Sequence, residues 1–249
     1  MVDAPFALGE LRLADDVGSA DWIVGTVRDF QYDVASLLPP GLGAYARVFH
    51  PAGRQLEGGS WGEVSWSQVA AANGRVAHAA MDWVGITGGW CYLHGRTQPG
   101  IWDREPSEGS LPVRQAAGLA RVLSRFTKTP AAGWFAVWDG SGSPAYPREA
   151  APRLLMPHRP MVLFAGPLSA VTTSFDAAPF DQRAHLWWPQ DRSWCVATDT
   201  DLMSTYVAGS ADCVAAVLAE DELESYAVTA DQKVSWDSDT VNQLPPRSC

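Results

Sequence analysis

The hydrophobic pattern of the chain is dominated by short segments with a repeat of two residues. In AYARVF, residues 44–49, large side chains alternate with alanine and valine. Successive side chains of a strand point to opposite faces of a sheet, so this pattern predicts a strand over 44–49. Further strands are predicted at 90–93 (WCYL), 133–140 (GWFAVWDG), 159–171 (RPMVLFAGPLSAV, with a break at Gly166-Pro167), 192–201 (RSWCVATDTD) and 224–229 (ESYAVT).

Helical signals are fewer and lie between these segments. SWSQVAAANG predicts a short helix that is capped by Ser65 or Ser67 and ends near residues 73–74. A second helix is predicted after Ser110, its expected cap, with Pro112 in the first turn and apolar residues near helical spacing from 113 to 126. Ser210 is expected to cap a third helix through ADCVAAVLAED.

This order of elements predicts the class of the fold. Strands in series, followed by one helix and one strand, indicate an α+β fold with a largely antiparallel mixed sheet packed by a few helices. We find no convincing linker and expect one domain over residues 1–249, with a polar loop at about 95–110 and a polar C-terminal tail at about 236–249.

The densest stretch of the chain is LWWPQDRSWCVATDTD, residues 186–201. A turn at Pro189–Arg192 should separate two extended segments. On a strand, Asp199 and Asp201 share one face about 6–7 Å apart, so they either cap a turn or hold a divalent cation such as Mg²⁺, Mn²⁺ or Ca²⁺. Asp237-Ser238-Asp239 repeats the pattern in the tail, which favours the turn. An apolar strand that ends in DxD also resembles the metal and nucleotide-sugar site of many glycosyltransferases.

Charge and composition exclude several classes of function. The net charge of −10 makes binding to nucleic acid or to an anionic membrane unfavourable. There is no apolar run of 18 residues and no secretory signal, so we expect a cytoplasmic protein. The HExxH, P-loop and GxGxxG motifs are absent from the sequence, and the five histidines are far apart. No cofactor is expected beyond the possible cation. Cys91, Cys195 and Cys213 fit inert core thiols, whereas Cys249 is expected to be an exposed, incidental thiol.

The unusual feature of the composition is its twelve tryptophans. Those that follow strand alternation, such as Trp134, Trp138 and Trp194, are expected in the core, whereas those in polar segments are candidates for contact with a ligand or partner, or for fastening loops to the body. The candidate contact residues are Trp61, Trp102, Trp187, Trp188, Arg192 and Trp236. A carbohydrate binder that uses Trp61 and Trp102 is one reading of this set.

Several motifs together support a resemblance to known families. LWWPQDRSWCVATDTDLMSTYVAGS, GWFAVWDG, HRPMVLFAGPL and VSWDSDTVNQLP resemble a family of uncharacterised actinobacterial hypothetical proteins over most of residues 20–245. LLPPGLGAYARVF is similar to the LP-aromatic segment of the SUKH superfamily of toxin-immunity and regulatory proteins. The second resemblance implies a non-catalytic binder, often acidic, directed at the basic face of a toxin.

Two hypotheses of function follow from the sequence. The first is a non-catalytic protein-binding module, immunity-like or regulatory, whose partner is another protein and whose oligomeric state is left open. The second is a small cation-dependent transferase or hydrolase with Asp199 and Asp201 as metal ligands and His185 or Arg192 assisting.

Overall fold

A computed structural model describes residues 6–29, 31–90, 96–140 and 142–244. Within these ranges the strands are β1 (Ala7–Leu8), β2 (Leu11–Leu13), β3 (Ala44–Phe49), β4 (Ala52–Gln55), β5 (Trp61–Val64), β6 (Gly133–Trp138), β7 (Arg153–Met156), β8 (Arg159–Gly166), β9 (Leu186–Pro189), β10 (Trp194–Thr198), β11 (Ser204–Gly209) and β12 (Ser225–Val228). The helices are α1 (Asp21–Val24), α2 (Trp66–Ala72), α3 (Trp83–Thr87), α4 (Val113–Leu123) and α5 (Ala211–Leu218).

Ten of these strands form one sheet. Their order is β1-β2-β8-β6-β9-β10-β11-β3-β12, with β7 also paired to β8, and β4 and β5 form a separate hairpin. Neighbouring strands pair antiparallel, including β6 with β9 and β10 with β11. The prediction of an α+β fold with a largely antiparallel sheet and a few helices is confirmed.

The sheet is covered on both faces, and alternate side chains of β10 pack into the two cores on either side of it. Trp194 and Val196 pack into a core that includes Leu119 of α4 and Val214 of α5. Cys195 and Ala197 pack into the opposite core, beside the segment 34–38. The predicted turn at 189–192 joins β9 to β10, so the dense stretch 186–198 is a hairpin at the centre of the sheet.

A third core lies under the β4–β5 hairpin and is built from tryptophans. The rings of Trp66 and Trp83 lie 5.1 Å apart, and those of Trp83 and Trp102 lie 5.2 Å apart. The Arg47 guanidinium lies 4.3 Å from the ring centroid of Phe49 and donates to the carbonyl of Met81 at 2.9 Å. This cluster joins the hairpin, α2 and α3 to strand β3 of the large sheet.

The predicted helix caps have mixed outcomes. Ser65 caps α2, because its hydroxyl accepts from the N–H of Gln68 while the Gln68 side chain accepts from the N–H of Ser65, and Ser210 caps α5. The predicted cap at Ser110 is wrong. Its hydroxyl accepts from the N–H of Arg183 at 3.0 Å, and α4 begins after Pro112 with no side-chain cap.

Strand predictions succeeded where alternation was clear. Strand β3 is confirmed, and β6, β10 and β12 lie within their predicted ranges. Strand β8 ends at the predicted break at Gly166, but the predicted continuation to residue 171 is wrong, because Leu168–Thr172 forms a 3-10 helix. Strand β11 and the β4–β5 hairpin were not predicted. In the predicted strand 90–93, Trp90 is not part of a strand, and residues 91–93 lie outside the described residues, as does part of the polar loop at 95–110. None of the described helices has the length and apolar character needed to cross a membrane.

Candidate functional site

A cavity of about 220 Å³ opens where strand β10 ends. We call it the Trp236 pocket, and it is lined by Tyr32, Ser36, Leu37, Arg159, Asp199, Asp201, Leu202, Val234, Ser235 and Trp236. Its walls come from four separate parts of the chain: the segment 32–37, the start of β8, the turn after β10 and the segment 234–236. Three of the residues singled out from the sequence, Asp199, Asp201 and Trp236, therefore meet in one place.

Local hydrogen bonding sets the turn after β10. The Oδ1 atom of Asp199 accepts from the N–H of Asp201 and from the hydroxyl of Thr200, both at 3.2 Å. The N–H of Leu202 donates to the carbonyl of Asp199 at 3.2 Å, which returns the chain toward β11. The interpretation that Asp199 caps a turn is confirmed.

The base of the pocket is an ion pair between Arg159 and Asp199. The Oδ2 atom of Asp199 faces the Arg159 guanidinium, and the two side chains are 8% and 18% exposed, respectively. Asp201 is exposed at the rim of the pocket. The lining thus carries one positive and two negative formal charges, so its balance is negative.

The predicted cation ligands are already engaged in part. Both carboxylate oxygens of Asp199 have protein partners, Oδ1 in the turn and Oδ2 at Arg159. Across the described ranges there is no group of three or more His, Cys, Asp or Glu side chains that could hold a metal ion. A cation held by Asp199 and Asp201 would compete with Arg159 for the Asp199 carboxylate. Metal binding at these two residues stays a prediction.

His185 lies behind the pocket. A cavity of about 20 Å³ shares Ser36, Leu37 and Arg159 with the Trp236 pocket and is also lined by His185. The Nδ1 atom of His185 accepts from the N–H of Trp138 at 3.0 Å. Burial, and secondarily the charge of Arg159, lower the pKa of His185 to about 4. The imidazole is therefore neutral at physiological pH.

Two large aromatic side chains stand at the mouth of the pocket. Tyr32 is 58% exposed and Trp236 is 51% exposed. Tyr32 has a φ of 54°, in the left-handed region that a tyrosine seldom adopts, and its carbonyl accepts from the N–H of Val234 at 2.9 Å. The Trp236 ring lies 5.8 Å from that of Trp90, edge to face. Strained backbone and exposed aromatic area thus coincide at one site.

The segment that carries Trp236 is anchored by a buried carboxylate. Asp239, 5% exposed, accepts from the N–H groups of Asn242 at 2.8 Å and Val241 at 3.0 Å, and from Asp82 N–H at 3.2 Å. His78 Nε2 lies 3.0 Å from its Oδ1 atom. Burial alone would raise the pKa of Asp239, but these donors, Asn242 foremost, outweigh it and lower the pKa. The described part of the tail is therefore docked on α3.

Several predicted contact residues lie elsewhere. Trp102, Trp187 and Trp188 are at most 1% exposed, so their selection as contact residues is corrected: they fill cores, because the sheet and the β4–β5 hairpin cover them. Arg192 lies in the β9–β10 turn at the opposite end of β10 from Asp199, with its guanidinium 5.8 Å from the Trp22 ring.

Trp61 is 47% exposed, but it lies on the β4–β5 hairpin in a separate groove. It does not contribute to the Trp236 pocket.

No family model, curated protein or solved structure matches this chain. The resemblances to the actinobacterial family and to the SUKH superfamily stay predictions.

Among the charged and aromatic residues of the pocket, sequence reasoning missed Tyr32 and Arg159. Arg159 is the first residue of the apolar strand β8. The sequence around it does not show that its side chain pairs with Asp199, which is 40 residues away. Tyr32 lies in a polar segment without periodicity, so the local sequence gives no signal for its role in a pocket.

Proposed function

We propose that this protein is a non-catalytic protein-binding module, immunity-like or regulatory, and that its partner binds at the Trp236 pocket. The observation that carries the proposal is the convergence of exposed Tyr32, exposed Trp236 and the Arg159–Asp199 ion pair on one cavity. Trp, Tyr and Arg are the side chains that most often dominate the energy of protein interfaces.

The chemistry of the pocket favours a basic side chain of the partner as its occupant. The two aromatic faces at the mouth can hold a cation, and in the described structure the exposed carboxylate of Asp201 has no ion-pair partner. A net charge of −10 would also speed the encounter with a basic surface. The occupant that fits is therefore a lysine or arginine side chain on a partner protein, met in the cytoplasm.

The state of the nucleophilic and basic groups supports a non-catalytic role. Burial raises the pKa of Cys213 to about 11, and that of Cys195 further still, so neither thiol ionises at neutral pH. Burial lowers the pKa of His50 to about 4, and its ring bonds to the Ser107 carbonyl and the Thr205 hydroxyl. These groups stabilise the interior instead of facing a substrate.

A photo-cross-linking experiment in cells tests the proposal. A benzoylphenylalanine placed at position 236 should capture a discrete partner protein. The matched control places it at Leu155, which is 70% exposed on strand β7. We expect the position-236 adduct to be lost when Asp201→Asn is added. Equal capture from both positions, or capture that does not depend on Asp201, would contradict the proposal.

A cation-dependent transferase or hydrolase is the second candidate, because Asp199 and Asp201 line one pocket and His185 lies directly behind it. Chelator-stripped protein would then gain thermal stability with Mg²⁺, Mn²⁺ or Ca²⁺. Binding at a hundred times Kd corresponds to roughly 2.7 kcal/mol. A gain that disappears in Asp199→Asn supports the enzyme, whereas unchanged unfolding temperatures with all three cations exclude a metal site at this turn.

A further inference from the structure

A second groove of about 460 Å³ lies between the β4–β5 hairpin, the segment 104–112 and Asp181. We call it the Trp61 groove. Its volume falls within the range of small-molecule sites, and its lining includes three carboxylates, two serines and one arginine. It shares no residue with the Trp236 pocket, so its occupant is independent of the function proposed above.

Trp61 offers this groove a flat apolar surface in a fixed position. The Arg104 guanidinium lies 4.4 Å from the Trp61 ring centroid. Gly53 on the paired strand lets the ring lie close, because a Cβ atom there would come within 3.1 Å of both the indole and Arg104. The indole is 47% exposed although it is held in this way. A preformed aromatic platform limits the entropy that a ligand must offset on binding.

One buried acceptor in the Trp61 groove and one in the groove that adjoins it lack donors. In the described part of the chain, the Oε2 atom of Glu105 is shielded from solvent without a hydrogen-bond partner, and so is the Oε1 atom of Gln115. Gln115 is 3% exposed, and its amide donates to Glu63 at 3.1 Å. Glu63 lines both the Trp61 groove and the adjoining groove that contains Gln115. Unpartnered buried acceptors favour a ligand that brings several donors.

The charges around the groove favour hydroxyl donors on the ligand over cationic ones. An ammonium or guanidinium ligand would have to approach Arg104, whose guanidinium lies 4.4 Å from the Trp61 ring centroid, and Arg114, which pairs with Glu63 at 3.1 Å. Hydroxyl groups avoid this repulsion, because each can donate to a carboxylate and accept from a guanidinium. The C–H face of a sugar ring also matches the apolar face of an indole.

We infer that the Trp61 groove binds a neutral saccharide, with Trp61 as the stacking platform and Glu105 and Gln115 as hydroxyl acceptors. The ligand spans the boundary at Glu63, so an oligosaccharide fits better than a single sugar ring.

Saturation-transfer NMR on the full chain tests this inference with cellotriose, maltotriose and the trisaccharide of N-acetylglucosamine. Lysine amide serves as the cationic probe. We expect at least one trisaccharide to bind, and Trp61→Ala and Glu105→Gln each to weaken that binding tenfold or more. The matched control is Trp236→Ala, which removes a comparably exposed indole from the other pocket and should leave binding unchanged.

Circular dichroism and urea unfolding verify that each variant keeps the native fold. The inference is overturned if none of the three sugars binds, if binding survives Trp61→Ala, or if lysine amide binds more tightly than the sugars and that binding is lost in Trp61→Ala but not in Trp236→Ala.

Discussion

The ion pair at the base of the Trp236 pocket allows a quantitative prediction. Replacing Arg159 by methionine leaves the Asp199 carboxylate in a site where only 8% of that side chain is exposed. Removal of one partner of a buried pair destabilises a protein by about 3–5 kcal/mol, since the remaining charge is buried without compensation. Asp199→Asn keeps a side-chain acceptor for the turn, so we expect a smaller loss in the free energy of unfolding, about 1–3 kcal/mol.

The double variant separates the pair from the effects of each residue alone. Once Asp199 is neutral, loss of Arg159 no longer leaves an unpaired charge, so the double variant should be more stable than the sum of the single losses predicts. We expect a coupling free energy of about 1–3 kcal/mol. Urea unfolding followed by tryptophan fluorescence measures it, with the m-value checked in each variant.

A surface pair provides the control for this cycle. Lys233 and Asp237 lie 3.6 Å apart, with side chains 64% and 45% exposed. Solvent screening should limit their coupling to about 0.5 kcal/mol. If the Arg159–Asp199 cycle gives a coupling no larger than this control, the pair is solvated in solution and the description of a buried charged base is refuted.

Titration and packing lead to further predictions. Burial lowers the pKa of His50 and His185 from 6.5 to about 4, so their contribution to stability is present above pH 6.5 and is lost as the pH falls toward 4; NMR ring resonances that titrate near 6.5 would contradict this. Burial raises the pKa of Asp82 to about 6, so at pH 7 this carboxylate is charged in a site that disfavours the charge. Asp82→Asn removes that charge and should raise the free energy of unfolding at pH 7 by on the order of 1–2 kcal/mol. That gain should shrink as the pH falls below 6. Gly85→Ala would place a Cβ atom 2.8 Å from the Asp239 carboxylate and so loosen the segment that Asp239 anchors. Amide hydrogen exchange in residues 235–242 should then accelerate, and unchanged protection would show that Asp239 does not anchor this segment.

Local patterns were sufficient for the elements that depend on local physics. Strand β3 follows from strict alternation, and α2 follows from the Ser65–Gln68 capping box. The β9–β10 hairpin follows from a turn at 189–192 between two apolar segments. In each case the signal lies within one short segment of the sequence, and the antiparallel α+β class followed from the order of these elements.

Burial of individual tryptophans was decided by tertiary packing. Trp61 and Trp102 both lie in polar segments, yet Trp102 stacks on Trp83 in a core while Trp61 is about half exposed. Composition around a residue cannot show which distant element will cover it. Strand β11 was missed for a related reason, since STYVAG becomes a strand only between β10 and β3.

The sequence by itself indicated the strands with clear alternation and the cap at Ser210, narrowed the cap of α2 to Ser65 or Ser67, and favoured a turn at Asp199. The tertiary structure decided that Tyr32, Arg159, Asp199 and Trp236 share one pocket. These residues are separated by up to two hundred positions, so their meeting depends on long-range strand order and on the anchoring of the tail by Asp239. Periodicity and capping are properties of neighbours along the chain, whereas a pocket is a property of neighbours in space.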